Sequence, residues 1–114
     1  MYYFYYRIHI MGGKLQSAPS QDHFDTYLEN LKYAATVLEE EGILGVIEPI
    51  NPVSVPGYIL NDYKFAVQTI KEVNSKNLKI MVDLFHLQMI TGNIANNLKE
   101  LMPYIGHVQV KYFY

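Results

Sequence analysis

Apolar positions follow two rhythms along this chain. Some segments repeat them every three or four residues, and others are apolar throughout. Residues 22–41 show the first rhythm most clearly. Phe24, Tyr27 with Leu28, Leu31, Ala34 with Ala35, and Leu38 draw one stripe, which predicts an amphipathic helix. Ser20 or Asp22 supplies its N-terminal cap, and Gly42 stands where a left-handed residue closes a helix. His23 opens this helix and is expected to be exposed. Glu39, Glu40 and Glu41 oppose the macrodipole at its end and read as a solvated face. A second helix is predicted over 62–73, with Phe65, Ala66, Thr69, Ile70 and Val73 on one side. A short helical turn over 85–90 ends at Gly92. A third helix over 93–102 turns Ile94, Leu98 and Leu101 inward and is followed by Pro103.

The second rhythm marks strands. Residues 5–11 are rich in β-formers and stop at Gly12-Gly13. Residues 43–48 and 78–83 are short apolar runs, and each ends in an acid, Glu48 and Asp83. A run without polar alternation predicts a strand covered on both faces, as in parallel sheets. A last strand spans 105–110. The order is β-α-β-α-β-α-β, so the expected class is α/β, with about four parallel strands and three intervening helices. Pro49, Pro52, Pro56 and Gly57 place a loop between the second strand and the second helix.

Composition narrows the function. The 114 residues carry a net charge of −2, which does not suit a nucleic-acid partner. No apolar run reaches the roughly 18–20 residues of a membrane span. The aromatic start lacks the pattern of a signal peptide, so a cytoplasmic location is expected. There is no cysteine, which excludes disulfides, a thiolate zinc site and a Cys nucleophile. Eleven tyrosines offer stacking surfaces, but few basic residues lie among them.

The strand ends are where chemistry is expected. A carboxylate at the end of a buried run is costly unless paired or bound to a cation. Two of them at the same end of neighbouring parallel strands would lie side by side, at the end where α/β proteins bind ligands. Hard oxygen donors of this kind suit Mg²⁺ or Mn²⁺. Each acid also has a purely structural reading: Glu48 as a solvated strand end, and Asp83 as a cap for the turn at 85–90. His86 lies three residues after Asp83. His107 and Gln109 alternate with Val108 and Val110, so one of these pairs faces inward. His9 is either core or site.

Three blocks carry a resemblance to a known family. Ile47-Glu-Pro-Ile-Asn51, Val82-Asp-Leu-Phe-His86 continuing to Gln88, Met89 and Gly92-Asn93, and Gly106-His-Val-Gln-Val110 resemble hydroxypyruvate isomerase. Ile8-His-Ile-Met-Gly-Gly13 is similar to the segment around that family's third strand. The resemblance covers nearly the whole chain. It implies a partial (β/α)₈ TIM barrel of the xylose-isomerase-like type, truncated at both ends and forming a single domain over 1–114.

The resemblance also implies a reaction, the interconversion of hydroxypyruvate and 2-hydroxy-3-oxopropanoate through an enediol. Glu48 matches a catalytic glutamate that is also a metal ligand. Asp83 and Gln109 match metal ligands, and His86 matches a histidine beside the substrate. The expected cofactor is a divalent ion, Mg²⁺ or Mn²⁺, and the expected partner is the small-molecule substrate. The family's second catalytic glutamate has no counterpart here, so impaired activity is expected. Two alternatives follow: another sugar isomerase or epimerase of the same superfamily, or a non-catalytic half-barrel that self-associates through open sheet edges, with its Tyr-rich first strand as the pairing edge.

Overall fold

The computed structural model describes residues 6–111. The elements are β1 (Arg7–His9), α1 (Gln21–Glu41), β2 (Leu44–Ile47), α2 (Tyr63–Val73), β3 (Leu78–Asp83), α3 (Leu84–Ile90), α4 (Ile94–Leu101) and β4 (Ile105–Gln109), with a 3₁₀ turn at Met102–Tyr104 before β4. The strands pair in the order β1-β2-β3-β4, all parallel. This is the expected α/β arrangement, in which each helix carries the chain back over one face of the sheet. No helix among the described residues is long and apolar enough to cross a membrane.

Several expectations need correction in detail. The first strand is shorter than predicted, because the pairing of β1 with β2 spans Arg7 to His9; position 5 lies outside the described residues. The short turn expected over 85–90 is a full helix beginning at Leu84, so the connection from β3 to β4 holds two helices. Asp83 caps the first of them. His23 is half-buried, because its ring folds back to accept the Ser20 backbone N–H at 3.1 Å. This ties down the start of α1 much as a capping-box glutamate would.

The helix stripes pack as predicted. Tyr27, Leu31, Ala35 and Leu38 of α1 and Ala66, Thr69 and Ile70 of α2 are buried. Tyr27, Leu31, Leu38, Ala66 and Ile70 among them meet Ile47, Leu78, Ile80 and Val82 of the central strands in one core. Gly45 permits this contact. A Cβ there would collide with Leu38 and lie 3.2 Å from Ile10 and 3.3 Å from Leu78. The buried Asn77 fastens the same corner by donating to the carbonyls of Leu38 at 3.1 Å and Ile43 at 2.9 Å. One of these is a carbonyl in the last turn of α1.

Alternation assigns the other sheet face. Gly45 and Ile47 look toward the helices, so Leu44, Val46 and Glu48 look the opposite way. Lys79, Met81 and Asp83 occupy this second face on β3, and His107 and Gln109 occupy it on β4. In a closed barrel this face would be the interior. Outer positions on the two edge strands are poorly covered, with Ile8 52%, Val108 46% and Val110 54% exposed. Neither half of the alternating 107–110 segment is therefore core.

Substituting Gly45→Ala is expected to cost about 1–3 kcal/mol, the usual range for overpacking a filled core. Urea denaturation followed by far-UV circular dichroism measures it, and an unchanged midpoint would contradict the tight α1–β2 contact.

Candidate active site

Three of the four expected site residues sit at the carboxyl ends of the two central strands. Glu48 follows β2 directly, Asp83 is the last residue of β3, and His86 lies on the first turn of α3. All three are buried. Gln109, the last residue of β4, is half-buried and stands in register with Asp83. A bulge creates this pairing. Ile80 faces Ile105 and Met81 faces His107, so Gly106 is the extra residue. Without it, Val108 would lie opposite Asp83. Only glycine fits at that position, since a Cβ would come within 2.6 Å of the Lys79 Cβ.

Asp83 fulfils its structural reading through one oxygen and leaves the other without a hydrogen bond. One carboxylate oxygen, Oδ1, accepts the Phe85 backbone N–H at 2.8 Å and caps α3. The other, Oδ2, is buried and lies 3.4 Å from the Lys111 Nζ, a contact that lacks hydrogen-bond geometry. Lys111 itself is 45% exposed. Glu48 likewise keeps one oxygen, Oε2, buried without a hydrogen bond. Burial pushes the Glu48 carboxyl up to about 6, the charge of Asp83 adds to the rise, and Lys111 opposes it. Structural carboxylates normally satisfy both oxygens. These two leave one acceptor each unused.

Loops complete the site. The segment after β1 pairs with the segment after β2: Leu15 N–H donates to the Gly57 carbonyl at 2.8 Å and Ile59 N–H to the Gly13 carbonyl at 3.1 Å. Tyr58 accepts the Gly12 N–H at 2.8 Å. Burial raises the Tyr58 and Tyr63 phenols, and the Glu48 charge pushes both further. Tyr63 also feels Asp83, and its hydroxyl is buried without a partner. Both phenols stay neutral beside the acids.

Asn51 is a site residue that no sequence pattern singled out. Its side-chain Nδ2 lies 2.8 Å from the His86 Nδ1, and its backbone N–H donates to the same nitrogen at 3.2 Å. Its only signal was its place in the Glu-Pro-Ile-Asn block, where a core asparagine reads the same way. His107 is exposed and His9 half-buried, the latter with a buried Nε2 that has no hydrogen bond. No ring of His9 or His107 joins the pair formed by Asn51 and His86.

The donor chemistry suits a hard divalent ion. Two buried carboxylate oxygens have no hydrogen-bond partner, and Gln109 stands in backbone register with Asp83, which carries one of them. Among the described residues no group of three His, Cys, Asp or Glu side chains is placed to hold a metal. Any such set here therefore rests on two carboxylates and a neutral amide oxygen.

Parallel βα units with acids gathered at the carboxyl ends of the strands fit a segment of a (β/α)₈ barrel, whose ligand-binding end is that one. Residues 5–114 match the family described as xylose isomerase-like TIM barrel, and the chain belongs to that family. The hydroxypyruvate isomerase of Escherichia coli (strain K12) is 37% identical over 105 residues, covering 91% of this chain and 41% of that protein. The 2-oxo-tetronate isomerase of Cupriavidus necator is 39% identical over 105 residues, covering 91% of this chain and 40% of that protein. A crystal structure of AP endonuclease, family 2, from Brucella melitensis superposes with a TM-score of 0.86 at 31% identity, covering 91% of this chain and 40% of that one. The chain thus spans about two fifths of the length of the relatives it matches.

The raised Glu48 carboxyl has a consequence for stability. Its folded pKa, about 6, exceeds that of an unfolded glutamate, so the folded state holds the extra proton between the two values. Stability contributed by Glu48 is present below that window and is lost as pH rises through about 6. The loss is at most about 2 kcal/mol, and less where solvent screens the open side of the site. Glu48→Gln is expected to leave stability unchanged at pH 4 and to raise it at pH 7.5. Thermal denaturation at the two pH values checks this, and an equal Tm difference at both would overturn it.

Proposed function

We propose that this chain carries part of the active site of an isomerase acting on hydroxypyruvate, with Glu48 as the group that moves the proton. The carrying observation is a buried carboxyl with one free oxygen, held up to about 6 beside a second acid at the ligand-binding end of a parallel sheet. Proton-transfer groups work best with a pKa near the operating pH. The similarity to hydroxypyruvate isomerase over 91% of the chain supports the substrate.

The step balances internally. Ionised Glu48 takes a proton from the hydroxymethyl carbon, the released pair forms the carbon–carbon double bond and the carbonyl pair moves to its oxygen, giving an enediolate. The hydroxyl proton passes to that oxygen, and the same carboxyl returns its proton to the neighbouring carbon, giving 2-hydroxy-3-oxopropanoate. His86 faces the substrate oxygens. Glu48, Asp83 and Gln109 would hold a Mg²⁺ or Mn²⁺ ion, whose charge offsets that of the enediolate. In this reading a single carboxyl, that of Glu48, acts as both base and acid.

The test follows deuterium exchange at the hydroxymethyl carbon of hydroxypyruvate by NMR in D₂O with added Mn²⁺. Exchange is expected to rise with pH through about 6 and to fall about 100-fold or more in Glu48→Gln. Equal exchange in the variant and the wild type would sink the proposal.

A second substrate is favoured by an observation of similar weight, the 39% identity to 2-oxo-tetronate isomerase. The same proton transfer applies to that longer 2-oxo acid, and side-by-side kcat/KM values decide between them. A non-catalytic reading rests on the uncovered Ile8, Val108 and Val110 at the sheet edges. It requires self-association, so a concentration-independent monomer in analytical ultracentrifugation would rule it out.

A further inference from the structure

The Asn51–His86 contact has a polarity that matters for the ring's free nitrogen. The Asn51 carboxamide is held in one orientation. Its Oδ1 accepts the backbone N–H groups of Val53 at 3.1 Å and Ser54 at 2.9 Å, in an Asx turn. An oxygen that accepts two N–H groups cannot be the nitrogen end, so Nδ2 faces His86. Nδ2 also lies 3.0 Å from the Ser54 Oγ, which accepts from it. Two N–H donors, Nδ2 and the Asn51 backbone, therefore converge on the His86 Nδ1 at 2.8 and 3.2 Å. A proton on Nδ1 would point at both.

We propose that Asn51 is a positioning residue that fixes His86 as the neutral Nε2–H tautomer, so that the ring presents an N–H donor to a substrate oxygen. Nε2 makes no hydrogen bond among the described residues and is the end left for a ligand. Burial lowers the pKa of the ring, and Lys111 lowers it too, while Asp83 works against them. The neutral ring thus agrees with the hydrogen-bond geometry. A donor at that position suits a carbonyl or enediolate oxygen, where negative charge builds during the proton transfer. This use of the donor rests on the isomerase reading above, whereas the tautomer does not.

The arrangement explains why the loop after β2 is so firmly built. Asn51 is fully buried although it lies in a loop, and Ile50 N–H donates to the Leu60 carbonyl at 3.0 Å. The loop holds the carboxamide, the carboxamide holds the imidazole, and α3, capped by Asp83, holds the imidazole from the other side. Supporting contacts of this kind usually change activity by about 10–100-fold when removed.

The experiment uses the ¹⁵N-labelled chain and long-range ¹H–¹⁵N correlation spectra of the His86 ring, assigned by difference with His86→Gln. The wild type is expected to show the Nε2–H pattern alone, and an Nδ1–H or mixed pattern overturns the proposal without any variant. Asn51→Asp keeps the Oδ1 acceptor of the Asx turn and replaces the Nδ2 donor by an acceptor. It is expected to draw the proton to Nδ1 and to raise the pKa of the ring. A folded Asn51→Asp chain with the wild-type pattern and titration also overturns it.

Deuterium exchange at hydroxypyruvate with added Mn²⁺ gives the functional arm. Asn51→Asp is expected to lower the rate about 10–100-fold. Once His86 is replaced by Gln, adding Asn51→Asp is expected to lower it no further. Wild-type Nε2–H spectra without any exchange would fault the isomerase reading and leave the tautomer standing. Glu48-dependent exchange with a wild-type Nδ1–H spectrum would do the reverse.

Discussion

The parallel pairing of β2 with β3 is the constraint on which the rest of the molecule depends. Ile47 sits beside Ile80, and both turn toward the helices. Period-two alternation then sends Glu48 and Asp83 to the opposite face, at the end where both chains leave the sheet. A one-residue slip would exchange the faces of one strand and drive its acid into the helix-side core. Burial of Ile47, Leu78, Ile80 and Val82 against α1 and α2 therefore holds the acids together as well as the fold. Gly45 and Asn77 serve that pairing by letting α1 approach and by tying its end to the start of β3.

Electrostatics at the site follows from this placement. Among the described residues, two acids at neighbouring strand ends share one nearby cation, Lys111, which is half-exposed and follows the edge strand. The local balance remains negative, and burial magnifies it. That is why Glu48 titrates late and why the phenols of Tyr58 and Tyr63 resist ionisation. A site built only for stability would have paired each carboxylate oxygen. Glu48 Oε2 has no hydrogen-bond partner and Asp83 Oδ2 has only its ion pair with Lys111, which leaves room for a ligand to supply what the fold withholds.

Much of this was legible in the sequence because it depends on local periodicity. The stripe from Tyr27 to Leu38 packs as drawn, and the apolar runs ending in Glu48 and Asp83 are the central strands. The acids stood out because a charge at the end of a buried run needs a reason. Other features lacked such a signal. The capping role of His23 needs a ring bent back onto Ser20, and the full length of α3 showed only as a short turn over 85–90. Tyr58 and Tyr63 were two among eleven tyrosines until the loop after β2 brought them near Glu48.

The sequence by itself determined the class of fold, the order of its elements and the two acids that close its central strands. These follow from hydrophobic spacing and from the cost of burying charge, both of which act within a few residues. Only the tertiary structure decided which residues join those acids. The bulge at Gly106 brings Gln109 rather than Val108 beside Asp83, because the register of an edge strand is set by its neighbour's surface. Asn51 meets His86 across thirty-five positions of chain, through a loop whose shape depends on its packing against the segment after β1. Contacts between distant segments carry no periodic mark, so the chain must fold before they can be seen.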